Sequence, residues 1–340
     1  MLKNARATGL PAGIMSMQRE REPLLSVENL EVHFPIRAGV LQRQVGAVKA
    51  VDGVSFSLDR GETLSIVGES GCGKSTTGLA LMGLVKPTGG LVRFDGEEIK
   101  GFSRAALKSY RRRMQIVFQD PFSSLNPRQK VKDIIRAPLD IHKVGTPAER
   151  NERVAELMQR VGLRPDQADN FAHQFSGGQR QRIGIARALA LNPDVIVCDE
   201  PVSALDVSVQ AQILNLLSDL QRDLGVSYLS ISHDLGVVEF ISHRVAVMYL
   251  GKIVEIAPKK TIFANPRHPY TELLMRSAPS RDPRKRHAFS ASNDDMPSAT
   301  RKPAGCPFHT RCPLATDICK SDEPALTARD DGQLVACHHR

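Results

Sequence analysis

The stretch Thr63-Leu64-Ser65-Ile66-Val67-Gly68-Glu69-Ser70-Gly71-Cys72-Gly73-Lys74-Ser75-Thr76 decides the fold. Its first five residues form a continuous β-rich run, the pattern of a strand buried on both faces of a parallel sheet. Helical spacing takes over at residues 76–84. Between strand and helix lie three glycines, Gly68, Gly71 and Gly73, which let the backbone curl its N–H groups around an anion, while the helix start adds its positive end. Lys74 is placed to reach β and γ phosphates and Ser75 to give an oxygen to Mg²⁺. The stretch Gly68, Ser70, Gly71, Cys72, Gly73, Lys74, Ser75 and Thr76 therefore predicts a site for ATP or GTP.

Three further β-rich runs, at 115–118, 194–198 and 226–231, have the same character. Alternation with a period of two marks Leu30, Val32 and Phe34, then Val54, Phe56 and Leu58, as half-buried strands. Helical patterns cover 76–84, 150–161, 179–191 and 207–220, so strands and helices alternate as in an α/β core. The run at 194–198 ends on Asp199 and Glu200. Carboxylates at the carboxyl edge of a parallel sheet face the crevice where ligands bind. Asp199 is thus expected to serve Mg²⁺ and Glu200 to orient or deprotonate water.

A length of 340 residues suits one large domain with a smaller appendage, and the 41% hydrophobic content is that of a globular chain. Every stretch of eighteen residues carries charge, and the apolar run at 9–17 is short and broken by Pro11, which argues against a spanning helix and a secretory signal. Six cysteines are too sparse for a disulfide scaffold and point to a reducing cytoplasm, where clustered thiols suit a metal. The net charge of +9 favours an anionic partner. Composition divides the chain into a leader at 1–24, a nucleotide-binding domain at 25–280, a Ser-, Pro- and charge-rich linker at 281–303, and a segment at 304–340 that holds four cysteines.

Phe175-Ser176-Gly177-Gly178-Gln179-Arg180-Gln181-Arg182 leads into a helix and offers a second nest of N–H donors. Here the chain closely resembles the ATP-binding subunits of ABC transporters, whose signature is usually Leu-Ser-Gly-Gly-Gln, with Phe175 in place of Leu. The resemblance implies a P-loop ATPase with a RecA-like core, an antiparallel β subdomain and a helical subdomain. It also implies that Ser176, Gly177, Gly178 and Gln179 contact nucleotide held by another subunit. Gln119, before Asp120-Pro121, is similar to the Q-loop glutamine that senses Mg²⁺ and the membrane subunit. Ser203-Ala204-Leu205-Asp206 resembles the D-loop, and His233 the switch histidine that contacts the γ-phosphate. Phe34 is the candidate adenine platform, though Pro35 to Ala50 reads as an unusually long basic insert before the next strand.

The stretches Gln119 to Arg128 and Asn265-Pro266-Arg267-His268-Pro269-Tyr270-Thr271 resemble the di- and oligopeptide importer branch, its F-type subunit in particular, which nickel and glutathione importers share. This implies peripheral attachment at the cytoplasmic face of the plasma (inner) membrane. It also implies four partner proteins, namely a second, different ATPase, two membrane permease subunits and an extracytoplasmic substrate-binding protein. Lys108, Arg111, Arg112 and Arg113 are candidates to face lipid or a membrane subunit, or simply solvent. The competing class, a soluble ABC ATPase acting on DNA or ribosomes, commonly has two nucleotide domains or a long coiled-coil insertion. Neither is present, so no nucleic acid partner is expected.

Cys306, Cys312, Cys319 and Cys337 lack the close pairs of structural zinc sites and the spacing of ferredoxin runs. Their resemblance to the cysteine segment of several peptide-importer ATPases implies a [4Fe–4S] cluster. Zinc, with His309, His338 or His339 joining, and unmetallated thiols remain open on the spacing alone.

Overall fold

The computed structural model describes residues 22–39, 42–99, 104–120, 122–277, 297–300, 302–329 and 332–340. The leader through residue 21 and the linker through residue 296 lie outside the described residues. Leu24 already belongs to the fold, because it is buried and its carbonyl accepts from the Asp95 N–H at 2.8 Å.

The described strands are β1 (Leu25–Ala38), β2 (Arg43–Leu58), β3 (Thr63–Val67), β4 (Gly89–Phe94), β5 (Glu97–Glu98) and β6 (Met114–Val117), followed by β7 (Val195–Asp199), β8 (Ser227–Ser232), β9 (Arg244–Tyr249), β10 (Lys252–Pro258), β11 (Thr327–Ala328) and β12 (Leu334–Val335). They form a four-stranded sheet, order β2-β1-β4-β5, and an eight-stranded sheet, order β11-β12-β10-β9-β3-β8-β7-β6. In the larger sheet β9, β3, β8, β7 and β6 run parallel, and β10 and β12 add antiparallel. Every residue of β3, β7 and β8 is buried, which is why these runs carry no alternation in the sequence.

Helix α1 (Lys74–Leu81) lies against this sheet. An added Cβ at its Gly78 would meet Ile231 Cδ1 at 2.9 Å and Val197 Cγ1 at 3.1 Å, so a residue without a side chain lets the helix approach β7 and β8. After α2 (Arg104–Arg113), a helical unit is built from α3 (Val131–His142), α4 (Pro147–Arg160) and α5 (Gly177–Leu189) around Ile134, Ile135, Leu157, Met158 and Ile183. Thr146 and Glu149 form a reciprocal capping box that starts α4. The chain continues through α6 (Val207–Leu224), α7 (Leu235–Ile241), α8 (Lys259–Ala264), α9 (Pro269–Ser277) and α10 (Asp317–Ser321).

The structure revises two of these expectations and ties the C-terminal segment to the core. The stretch Pro35 to Ala50 is not an insert between short strands, because β1 and β2 run on through it as one hairpin, with Pro35 opposite Ala47 and His33 opposite Lys49. Two of the four basic residues near 110 are occupied inside the fold. Arg111 donates to the Met82 and Gly83 carbonyls at 3.1 and 2.9 Å, and Arg113 binds Asp194 and Asp95 at 2.6 and 2.7 Å with its guanidinium over the Phe94 ring. Only Lys108 and Arg112 stay exposed. The cysteine segment does not hang free of the nucleotide core, since β12 pairs with β10 through Glu255–Val335 and Ile256–Leu334, and Phe308 is buried against Tyr249 and Tyr270.

Candidate functional site

The loop after β3 depends on glycine at two places. Gly68 has φ 156° and Gly73 φ 110°. An added Cβ would stand 2.1 Å from the Met248 carbonyl oxygen at the first and 2.2 Å from the Ala50 carbonyl oxygen at the second. Backbone cannot yield there, so the loop keeps its curl. Lys74 is buried at 5% exposure, and its ammonium donates to the carbonyls of Gly68 and Glu69 at 2.8 and 2.9 Å. That is a buried cation resting on backbone dipoles and, among the described residues, in no ion pair, which suits a phosphate. Cys72 contributes backbone to the loop, and burial pushes its thiol up, which makes it a packing residue here. Ser70, Gly71 and Ser75 are exposed and Thr76 is half-buried.

Ser75 Oγ donates to Asp199 Oδ1 at 2.9 Å, so the hydroxyl and carboxylate expected to share Mg²⁺ face each other. Burial raises the Asp199 carboxyl above its ordinary range, while the Ser75 hydrogen bond pulls the other way. A partly desolvated carboxylate beside a hydroxyl is a hard oxygen pair that fits Mg²⁺.

One residue on, Glu200 takes φ 47°, a left-handed conformation unusual for a side chain of this kind. Its Oε2 accepts from Gln119 Nε2 at 2.7 Å and its Oε1 bonds His233 Nδ1 at 2.8 Å. The Asp234 side chain fixes the turn after β8 by accepting from the Gly236 N–H at 2.7 Å at the start of α7, which places His233 at the sheet edge. Gln119, Glu200 and His233 therefore meet in one hydrogen-bonded row, at the ends of β6, β7 and β8.

Ser176 is elsewhere. It caps α5 by a reciprocal pair with Gln179, its N–H donating to Gln179 Oε1 at 3.0 Å and its Oγ accepting from the Gln179 N–H at 3.3 Å. Gly177 and Gly178 let this helix start approach Leu205 and Val209, beside the 203–206 stretch. Among the described residues the Ser176 hydroxyl bonds only Gln179, which leaves its exposed N-terminal face open to a ligand held by another molecule. Phe34 projects from β1 at 42% exposure and is not a core residue.

The four C-terminal cysteines fold toward one place. The Cys306 N–H donates to the Cys319 carbonyl at 2.9 Å, and Cys306, Cys312 and Cys319 join the apolar cluster of Tyr249, Tyr270 and Phe308. Burial, with the other three thiols adding, pushes Cys306 up to about 11. Among the described residues no group of three or more His, Cys, Asp or Glu is arranged to hold a metal ion. His309 and His338 bond backbone oxygens at 2.9 Å, whereas His339 Nε2 lies 3.3 Å from Cys319 Sγ.

Sequence reasoning missed a second support of the loop. Glu255, fully buried, accepts from the backbone N–H of Arg267 and of His268 at 2.9 Å each. His268 Nδ1 in turn accepts from the Tyr270 N–H at 3.0 Å, and Tyr270 Oη accepts from the Glu69 N–H at 2.9 Å. The signal was a charged residue inside the otherwise apolar run 253–257, which is seldom left unpaired.

Residues 51–203 match the family model described as ABC transporter, and residues 254–319 that described as oligopeptide/dipeptide transporter, C-terminal region. The chain is 53% identical over 323 residues to an oligopeptide transport ATP-binding protein, AppF, of Bacillus subtilis, covering 94% of this chain and 98% of that protein. It is 47% identical to the dipeptide transport ATP-binding protein DppF of Haemophilus influenzae, again over 94% and 98%. Among solved structures, cbiO1 of Clostridium perfringens, part of the ABC transporter complex cbiONQ, aligns with a TM-score of 0.61 and 30% identity over 72% of this chain and 91% of that one. The dimeric ATP-binding cassette MJ0796 bound to ADP and Pi aligns with a TM-score of 0.61 and 29% identity over 69% and 98%. With its phosphate loop, carboxylate pair and signature helix in these places, the chain belongs to the ATP-binding subunits of ABC transporters, in the branch that carries the oligopeptide and dipeptide transporter C-terminal region.

Proposed function

We propose that this chain hydrolyses ATP to power peptide import, with Glu200 as the general base. The observation that carries this reading is the row Gln119–Glu200–His233, set one residue from the Ser75–Asp199 pair. The peptide substrate rests on relatives that are named as oligopeptide and dipeptide transport proteins.

In this reading the N–H groups of the 68–75 loop and the Lys74 ammonium hold the β and γ phosphates, and Phe34 stacks on adenine from its exposed place on β1. Ser75 and Asp199 would hold Mg²⁺, which neutralises charge on the phosphate oxygens. Glu200 accepts a proton from the attacking water as its oxygen bonds to the γ phosphorus and the bond to ADP breaks. Gln119 and His233 each hold one carboxylate oxygen and so fix its direction. Ser176, Gly177, Gly178 and Gln179 close on the phosphates of a second ATPase subunit, the two chains acting as a heterodimer. Closing and opening of that pair moves two membrane permease subunits that receive peptide from a substrate-binding protein. The chain sits peripherally at the cytoplasmic face of the membrane, and among the described residues no helix is long and apolar enough to cross it.

Cys306, Cys312, Cys319 and Cys337 are assigned to a [4Fe–4S] cluster, which would stabilise the 304–340 segment. What supports this is the burial of Cys306 and Cys319 beside Phe308 with Cys312 packed against them, and the effect of the other three thiols on Cys306, although among the described residues the four are not arranged as a metal site. Iron and zinc analysis of anaerobically purified protein tests it. A brown preparation with about four irons per chain is expected, and a colourless one overturns it.

The functional reading is tested by reconstituting the chain with its membrane subunits and a second ATPase in vesicles. Peptide uptake that requires ATP and is lost in Glu200→Gln is the expected result. Uptake that survives in Glu200→Gln overturns the assignment of the base.

A further inference from the structure

Glu69, the second residue of the phosphate loop, is held on three sides. Its N–H donates to Tyr270 Oη at 2.9 Å, its carbonyl accepts from Lys74 Nζ at 2.9 Å, and its two carboxylate oxygens accept from Arg311 Nη1 at 3.1 and 3.0 Å. Arg311 ends the 3₁₀ turn His309–Arg311, between Cys306 and Cys312, and so belongs to the C-terminal segment.

Arg311 is seated to do one thing. Its side chain is 9% exposed, and its guanidinium lies 6.0 and 5.9 Å from the ring centroids of Tyr249 and Phe308. Phe308 is buried and packs edge-on against Tyr249, so the seat itself is rigid. A guanidinium desolvated in this way needs an anion, and Glu69 supplies it.

The location gives the pair its consequence. Glu69 adjoins the N–H groups that would gather phosphate oxygens, and an unpaired carboxylate there would repel the phosphates. The same residue offers the carbonyl on which the Lys74 ammonium rests. We infer that Arg311 is a positioning residue for nucleotide binding: from the C-terminal segment it neutralises Glu69 and fixes the part of the loop that aims Lys74. The inference rests on the reading of 68–75 as the nucleotide site and adds to it a residue outside the ATPase core.

The test is equilibrium binding of MgATP to the full chain, together with steady-state ATPase kinetics. R311M is expected to weaken MgATP by about tenfold, the loss of one charge-assisted pair, and to raise KM in step while kcat at saturation is kept. R311K, which keeps the charge on a shorter reach, should fall between R311M and the parent. Adding E69Q to R311M should return most of the lost affinity, because the uncompensated charge leaves with it. Mere loosening of the segment would not be repaired by a change in the loop. Parental affinity in both R311M and R311K overturns the inference, as does a failure of E69Q to restore R311M. K74A separates the two levels: if it keeps its MgATP affinity the nucleotide site itself is misassigned, whereas loss in K74A with parental affinity in R311M defeats only the role of Arg311.

Discussion

His233 Nδ1 and Glu200 Oε1 are hydrogen-bonded at 2.8 Å, and this contact joins two residues whose backbones leave neighbouring strands in different ways. Glu200 turns into the left-handed region while His233 precedes a capped helix. A left-handed non-glycine residue costs on the order of 1–3 kcal/mol and persists where the surroundings over-determine it. Here the surroundings are the His233 and Gln119 side chains and the Ile231 carbonyl, which accepts the Glu200 N–H at 2.9 Å.

Glu200→Gln should therefore keep the side chain's shape, exchange one acceptor oxygen for a donor amide, and lose the base. Hydrolysis in single-turnover assays should fall by roughly 10²–10⁴-fold, with MgATP affinity retained. Near-parental turnover would remove Glu200 from the role.

Asp199→Asn should raise the Mg²⁺ concentration needed for half-maximal ATPase activity, because the carboxylate facing Ser75 is replaced by a neutral amide. In the parent, burial holds the Asp199 carboxyl above its usual range, so its proton returns at a higher pH than for an exposed aspartate. Mg²⁺ demand should accordingly rise on acidification before ordinary aspartates titrate. A demand that stays flat through that range would count against Asp199 as a ligand.

Ser176→Arg places a bulky cation on the exposed start of α5 and should abolish stimulation by a partner ATPase and membrane subunits. Binding of MgATP at this chain's own Lys74 should persist. Parallel loss of both would show that Ser176 serves its own loop rather than another subunit's.

His268 is buried, and burial lowers its pKa from 6.5 to about 4. Between those values the unfolded chain takes up a proton that the folded chain refuses. Stability therefore falls as pH drops from about 6.5 toward 4, by up to roughly 3 kcal/mol from this group. Denaturant unfolding across that window should show a steeper decline for the parent than for His268→Gln. Equal slopes would refute the assignment.

The parallel core was legible because burial on both faces writes itself as unbroken runs, and the observed β3, β6, β7 and β8 fall within a residue of the runs at 63–67, 115–118, 194–198 and 226–231. The phosphate loop was legible for a related reason, since Gly68 and Gly73 occupy conformations and close contacts that other residues cannot. The hairpin of β1 and β2 was hidden because its outer part is exposed on both faces and carries no apolar period. The contacts of Glu69 with Tyr270 and Arg311 were out of reach, since nothing local in either segment marks a partner some 200 residues away in the chain.

The central strand β3 finds its neighbours late, with Thr63 beside Tyr228 of β8 and Leu64 beside Arg244 of β9. A growing chain thus exposes its phosphate loop long before the strands that frame it exist. Pairings so distant in sequence are slow to form, whereas α3, α4 and α5 pack among near neighbours and can condense first. Pulse-labelled hydrogen exchange during refolding should accordingly find amides of those helices protected before the amides of β3, and the reverse order would rule out this sequence of assembly.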